Sequence, residues 1–187
     1  YLTAGDVNTF KEDLIECSKV TKYVYGINVE TSAPTSIGIF NAIRATNNFI
    51  NGNNNIKNIH VAISGVGKVG SKLAKLLVEA GASVTAASIN SELINELKKE
   101  IKIIEVSPAN LFKTACDIIS PCALGGVINA STRDLLKCKA IVGAANNQLD
   151  NSETGEWLLK NNIVYSPDYL VNSGGVIAIA SEINKTE

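Results

Sequence analysis

The chain has 187 residues, a formal net charge of −1, and 19% charged against 45% hydrophobic residues. That length and balance suit one soluble globular domain and exclude a disordered tail or a coiled coil. With no basic excess to neutralise a phosphate backbone and no apolar run of membrane-spanning length, neither nucleic acid nor a membrane is an expected partner, and a cytoplasmic setting is expected.

Four cysteines (Cys17, Cys116, Cys122, Cys138) form no CxxC pair, and a single histidine, His60, cannot complete a zinc set. They read as reduced thiols acting as small apolar residues, and His60 reads as structural. The chain contains no Met and opens on Tyr1-Leu2-Thr3-Ala4, so it is expected to be a piece of a longer protein.

Val7, Phe10, Leu14 and Cys17 fall at helical spacing with charges between them, predicting an amphipathic helix. Pro34 precedes a second helix with Ile39, Ile43, Thr46 and Ile50 on one face, ended by the Asn51-Gly52-Asn53-Asn54-Asn55 loop. Short apolar runs then alternate with helical patterns. The runs are Ile59–Ile63, Ser83–Ala87, Ile101–Ile104, Asp117–Ile119, Ala140–Val142 and Ile163–Tyr165. Helical patterns cover Val69 to Ala80, Leu93 to Leu97, Thr132 to Leu136, Gly155 to Leu159 and finally Gly174 to Ile183, with a short turn near Pro108–Phe112. Continuous apolar strands alternating with helices predict an α/β fold: a Rossmann-type doubly wound, mainly parallel sheet with helices on both faces.

In such a sheet ligands bind outside the carboxyl ends of the strands. The first strand leads into Gly65-Val66-Gly67-Lys68-Val69-Gly70, followed by a helix with Leu73, Leu76 and Leu77 facing inward. Gly65 allows the tight turn, Gly67 lets the backbone approach a pyrophosphate, and Gly70 lets helix pack on strand. The motif, with Lys68 and Val69 inside it, predicts dinucleotide binding; a glycine turn serving only packing is the plainer alternative. The other strands end in similarly small, amide-rich loops: Ser88-Ile89-Asn90, Ser120 to Gly126, Gly143 to Asn147, and Ser166-Pro167-Asp168 leading on to Asn172-Ser173-Gly174-Gly175. Five such loops at one edge describe a crevice.

A site selective for NAD places Asp or Glu about 20 residues beyond the glycine motif to bind the adenine ribose. Ser88 stands at that strand end instead, and the nearest carboxylates, Glu79 and Glu92, lie on helices. NAD is the expected coenzyme, with NADP possible because no anion repels a 2′-phosphate; Lys68 is in the turn, but no Arg sits beside Ser88.

Three motifs in order, Ser120-Pro121-Cys122-Ala123-Leu124-Gly125-Gly126, Ala144-Ala145-Asn146-Asn147-Gln148-Leu149 and Ser166-Pro167-Asp168-Tyr169-Leu170-Val171-Asn172-Ser173-Gly174-Gly175-Val176, closely resemble the amino-acid dehydrogenases acting on glutamate, leucine, phenylalanine and valine, with the leucine branch nearest. The resemblance covers nearly the whole chain. It implies reversible oxidative deamination of an L-amino acid to a 2-oxo acid and ammonia. The substrate is then a small-molecule amino acid, with possible homo-oligomerisation of the full-length protein. It implies that residues 1–25 are the tail of a catalytic domain and residues 26–187 the dinucleotide-binding domain.

Carried over position by position, Ala4-Gly5-Asp6-Val7 is similar to the segment bearing the family's catalytic aspartate, making Asp6 the candidate general acid/base; otherwise Asp6 would simply cap a helix beginning near Val7. Thr35 matches a threonine near the nicotinamide carboxamide. Asn146 and Asn172 match positions beside the nicotinamide ribose and substrate, with Cys122, Ala123 and Ala145 in the same coenzyme-binding motifs. Without the resemblance, Asn146 would be a turn amide and Asn172 a helix cap. Asn147, Val176 and Ile179 match the substrate pocket. Two aliphatic residues there favour a leucine-type substrate, because a glutamate side chain would leave its carboxylate unpaired.

Departures from the pattern are Ser88, a shortened loop from Gly26 to Pro34, and no counterpart of the family's lysine-bearing glycine-rich segment. Lys68, Lys72 and Lys75 cannot replace those lysines, since they fall in the coenzyme turn and on its helix. The alternative reading is a non-catalytic dinucleotide-binding fragment or degenerate remnant.

Overall fold

A computed structural model describes residues 2–6 and 9–184. Six strands, β1 (His60–Ser64), β2 (Ser83–Ala87), β3 (Ile104–Glu105), β4 (Ile118–Pro121), β5 (Ala140–Ile141) and β6 (Val164–Tyr165), pair side by side in the order β3-β2-β1-β4-β5-β6. Every pairing is parallel. This is the doubly wound order, whose switch point lies between β1 and β4.

The predicted elements appear with shifted ends. Helix α1 (Lys11–Ser18) starts later than the spacing at Val7 implies; Val7 itself lies outside the described residues. Its first turn is set by the Asp13 carboxylate, which accepts the Phe10 N–H at 2.8 Å. Asp6 therefore does not cap this helix. Helix α2 (Ser32–Asn51) begins ahead of Pro34 and stops at Gly52, whose φ of 67° is left-handed and suits glycine. Helix α3 (Lys68–Glu79) follows the glycine turn. Helix α4 (Ser91–Glu100) is capped by Asn90, whose side chain accepts the N–H groups of Glu92 and Leu93. After α5 (Pro108–Leu111) and a 3-10 turn at Arg133–Leu135, α6 (Ser152–Lys160) is capped by Asn151. Two more helices, α7 (Asp168–Val171) and α8 (Gly174–Asn184), follow.

Burial explains why these segments hold together. Val61 and Ile63 on β1 pack with Leu73 and Leu77 of α3, Ile39 and Ile43 of α2, and Ile94 and Leu97 of α4. The opposite face buries Ala62, Ala87, Ile119 and Leu111, continuing into Ile128, Ile141 and Leu158. Leu76, expected to face inward with Leu73 and Leu77, is only half-buried. His60 on β1 shares a 2.8 Å hydrogen bond with the Thr85 hydroxyl of β2, a role inside the sheet. Among the described residues no helix is long and apolar enough to cross a membrane and no His/Cys/Asp/Glu group could hold a metal.

Candidate dinucleotide and substrate cleft

The sheet brings its loops to one rim. Ser64 is in register with both Ala87 of β2 and Pro121 of β4, so the glycine turn emerges between those two strand ends. Gly65 has φ of 95° and its N–H donates to the Ala87 carbonyl at 2.8 Å. A β-carbon at Gly65 would meet Ala123 Cβ at 2.7 Å, and one at Gly70 would press on the Gly65 carbonyl and approach Cys122 Cβ at 3.3 Å. Gly67 differs: it is extended (φ −69°, ψ −161°) and a β-carbon there would enter open space. No side chain caps α3 at this end. The turn thus offers uncapped N–H groups at a helix N-terminus, beside a glycine that leaves room for a ligand, and fits a pyrophosphate.

Alongside it lies a cleft of about 390 Å³. From the loops after β4 and β5 come Cys122, Ala123, Ala145 and Asn146, and from α3 comes Val69. Thr35 of α2, Asn172, and Val176 and Ile179 of α8 close another side, with Asp6 at the mouth. The leading segment that carries Asp6 is held in place by pairing: the Thr3 N–H donates to the Tyr23 carbonyl at 2.9 Å and the Tyr25 N–H to the Thr3 carbonyl at 2.8 Å. Asp6 also closes a local turn, its N–H donating to Thr9 Oγ1 and that hydroxyl to the Asp6 carbonyl. Burial of the Cys122 thiol pushes its pKa up, which keeps it a neutral wall of the cleft.

Asn146 and Asn172 form a clamp. Asn172 Nδ2 donates to Asn146 Oδ1 at 2.6 Å and to the Ala144 carbonyl at 3.1 Å. Asn172 also ends α7, so a helix-end position and a place in the cleft lining coincide.

The sequence of residues 26–186 matches the family model described as Glutamate/Leucine/Phenylalanine/Valine dehydrogenase. The chain belongs to this dehydrogenase family. It is 42% identical over 193 residues to a phenylalanine dehydrogenase of Thermoactinomyces intermedius and 37% identical over 189 residues to a leucine dehydrogenase of the same organism. Each alignment covers 98% of this chain and 52% of the relative, so the chain spans about half the length of the curated relatives it matches. Its structure resembles an L-tryptophan dehydrogenase from Nostoc punctiforme (TM-score 0.89, 34% identity, all of this chain and 55% of that one). A hetero-hexameric glutamate dehydrogenase from Thermus thermophilus shares the fold (TM-score 0.78, 16% identity, all of this chain and 52% of that one).

Several features of this cleft go beyond the residues singled out as site candidates from the sequence. Thr31, Leu124, Gly125 and Gly175 also line it. Asn147 does not: its backbone is left-handed (φ 50°) and its N–H donates to the Asp168 carboxylate at 2.8 Å. Asp168 accepts the Tyr165 hydroxyl with its other oxygen, also at 2.8 Å. Burial of that phenol, with the Asp168 bond and charge beside it, raises its pKa well above the usual range. Gln148, fully buried, ties the same loop by donating to the carbonyls of Gly143 and Ala145. Of the remaining sequence candidates, Gly65, Gly67, Lys68 and Gly70 form the turn and helix start next to the cleft, and Ser88, which follows Ala87 at the end of β2, stands beside that turn and outside the cleft lining.

Glu30 organises the loop before α2. Its carboxylate accepts the N–H groups of Ser32 and Ala33 and the Ser32 hydroxyl, and pairs with Lys72 of α3 at 3.1 Å. Partial burial works to raise its pKa, but these bonds outweigh it and hold the carboxyl at about 2.

Proposed function

We propose that the full-length protein catalyses the reversible oxidative deamination of a branched-chain, leucine-type L-amino acid to its 2-oxo acid and ammonia, with a nicotinamide dinucleotide as coenzyme. The observation that supports this most is the meeting of Asp6, the Asn146–Asn172 clamp and the aliphatic pair Val176 and Ile179 in one cleft beside the glycine turn. The oxidised coenzyme, when bound, supplies the hydride acceptor. The glycine turn's N–H groups hold the pyrophosphate, and Thr35, Asn146 and Asn172 orient the nicotinamide end and the substrate. Asp6 moves a proton at the substrate nitrogen, as a carboxylate at such a position can. Val176 and Ile179 receive the side chain.

Residues 1–25 are assigned in this reading to the catalytic half and 26–187 to the coenzyme domain. The lysine chemistry is assigned to the half of the protein outside this chain, and a homo-oligomer is the proposed assembly.

The test is NADH formation by the full-length protein with L-leucine, L-valine and L-phenylalanine, together with Asp6→Asn. Turnover with leucine, reduced at least about a hundredfold by Asp6→Asn while NADH affinity persists, is expected. Coenzyme binding without any turnover would favour the non-catalytic reading. A second substrate reading, an aromatic amino acid, draws on the 42% identity to a phenylalanine dehydrogenase; a higher kcat/KM for phenylalanine than for leucine would establish it.

A further inference from the structure

Building on the coenzyme reading above, we propose that the rim beside Ser88 accepts a 2′-phosphate, with Lys68 as its cation, so that NADP(H) binds at least as tightly as NAD(H). The Gly65–Ala87 hydrogen bond and the Ser64–Ala87 register place Ser88 directly next to the glycine turn. That is where the adenine ribose lies in a doubly wound site and where a carboxylate would select against the phosphate. No carboxylate occupies the Ser88-Ile89-Asn90 turn. Ser88 Oγ accepts the Asn90 N–H at 3.0 Å and keeps its own O–H to donate. Asn90 spends its Oδ1 on the α4 N-terminus, and its Nδ2 makes no hydrogen bond among the described residues. Ile89 is 97% exposed, so no bulk covers the turn.

The charges near this turn point the same way. Lys72 is paired with Glu30 and Lys75 with Glu100, whereas Lys68, exposed at the first position of α3, has no ion pair among the described residues. Among the described residues it is the lysine of α3 whose ammonium is not neutralised. The nearest carboxylate along the chain, Glu92, sits in the first turn of α4, where it complements that helix's own dipole. A 2′-phosphate, dianionic near neutral pH, would therefore gain a cation and two donors and meet no acid within the turn.

Fluorescence titration of NADH and NADPH against the protein, Ser88→Asp and Lys68→Gln tests this. The unaltered protein should bind NADPH with a Kd no higher than that of NADH. Ser88→Asp should weaken NADPH by at least about tenfold, corresponding to ~1.4 kcal/mol, and not weaken NADH. Lys68→Gln should weaken NADPH at least about threefold more than NADH, with the difference shrinking in high salt. A tenfold preference of the unaltered protein for NADH, or an equal effect of Lys68→Gln on both nucleotides, overturns the proposal. Failure of both nucleotides to bind a folded protein overturns instead the coenzyme reading on which it rests.

Discussion

Alanine at Gly67 and alanine at Gly70 should separate coenzyme binding from folding. Gly67 has an extended backbone that alanine adopts without strain, and its added methyl would touch nothing within 4 Å. Its stability should stay within about 0.5 kcal/mol of the unaltered protein, or rise slightly as the unfolded chain loses freedom. The same methyl would stand where the pyrophosphate approaches, and NADH affinity should fall at least about tenfold. Gly70 lies inside α3, where alanine would ordinarily help by up to about 1 kcal/mol. Here its methyl would collide with the Gly65 carbonyl and come within 3.1 Å of the carbonyl carbon, both backbone atoms of a turn fixed by β1 and β2. An overpacking cost of about 1–3 kcal/mol or more should win. At ~2–4 °C per kcal/mol for a chain of this size, the melting temperature should drop by several degrees, with binding lost as well. Thermal melts followed by circular dichroism, paired with NADH titrations, read both quantities. Unchanged NADH affinity in Gly67→Ala would refute the cradle, and an unchanged melt in Gly70→Ala would refute the close helix–strand packing.

Leu77→Ala removes a fully buried side chain of α3 and should cost ~2–5 kcal/mol, read as a lower urea midpoint. Asp168→Ala strands the Tyr165 hydroxyl and the N–H of left-handed Asn147; a stability loss of roughly 1–3 kcal/mol is expected, with weaker NADH binding because the same loop carries Asn146. Acid should weaken the fold through Glu30 and Asp117. The Asp117 carboxyl, partly buried, is lowered by its bonds to the His60 N–H and Lys139. Both groups have depressed folded pKa values, so their contribution is complete above about 4.5, the ordinary glutamate value, and is lost as pH falls toward 2 for Glu30. Urea midpoints at pH 6 and pH 3 should therefore differ less in Glu30→Gln than in the unaltered protein.

Much of the fold was legible because periodicity and strand-end chemistry report the same layers. The apolar runs Ile59–Ile63 and Ser83–Ala87 nearly coincide with β1 and β2, interior strands whose residues are mostly buried. Edges were less legible. Ile101–Ile104 reads as a strand, yet Ile101 caps α4 and only Ile104–Glu105 pair, since at a sheet edge hydrophobicity no longer tracks hydrogen bonding. The short α7 was hidden between two loop-like stretches, its four residues being too few to show a period. In the cleft, Asp6, Thr35, Asn146 and Asn172 could be proposed from residue type and family likeness, and their meeting in space follows from the strand order. Asp168 and Gln148 could not, because each works by bonding backbone groups whose positions no sequence pattern encodes.

The absence of any antiparallel pairing among the six strands bears on how the molecule forms. No two neighbours can zip together from a local hairpin; each needs an intervening crossover before its partner arrives. β1 waits for β2 across the whole of α3, and then for β4, which is more remote still: Val61 sits against both Val84 and Ile118. Closing such distant contacts delays the reward for chain ordering, so refolding from denaturant should be slow for a domain of this size and rate-limited by the docking of β4 onto β1. Until that step is complete, the strand edge that later borders the coenzyme cleft is open to pairing with other chains.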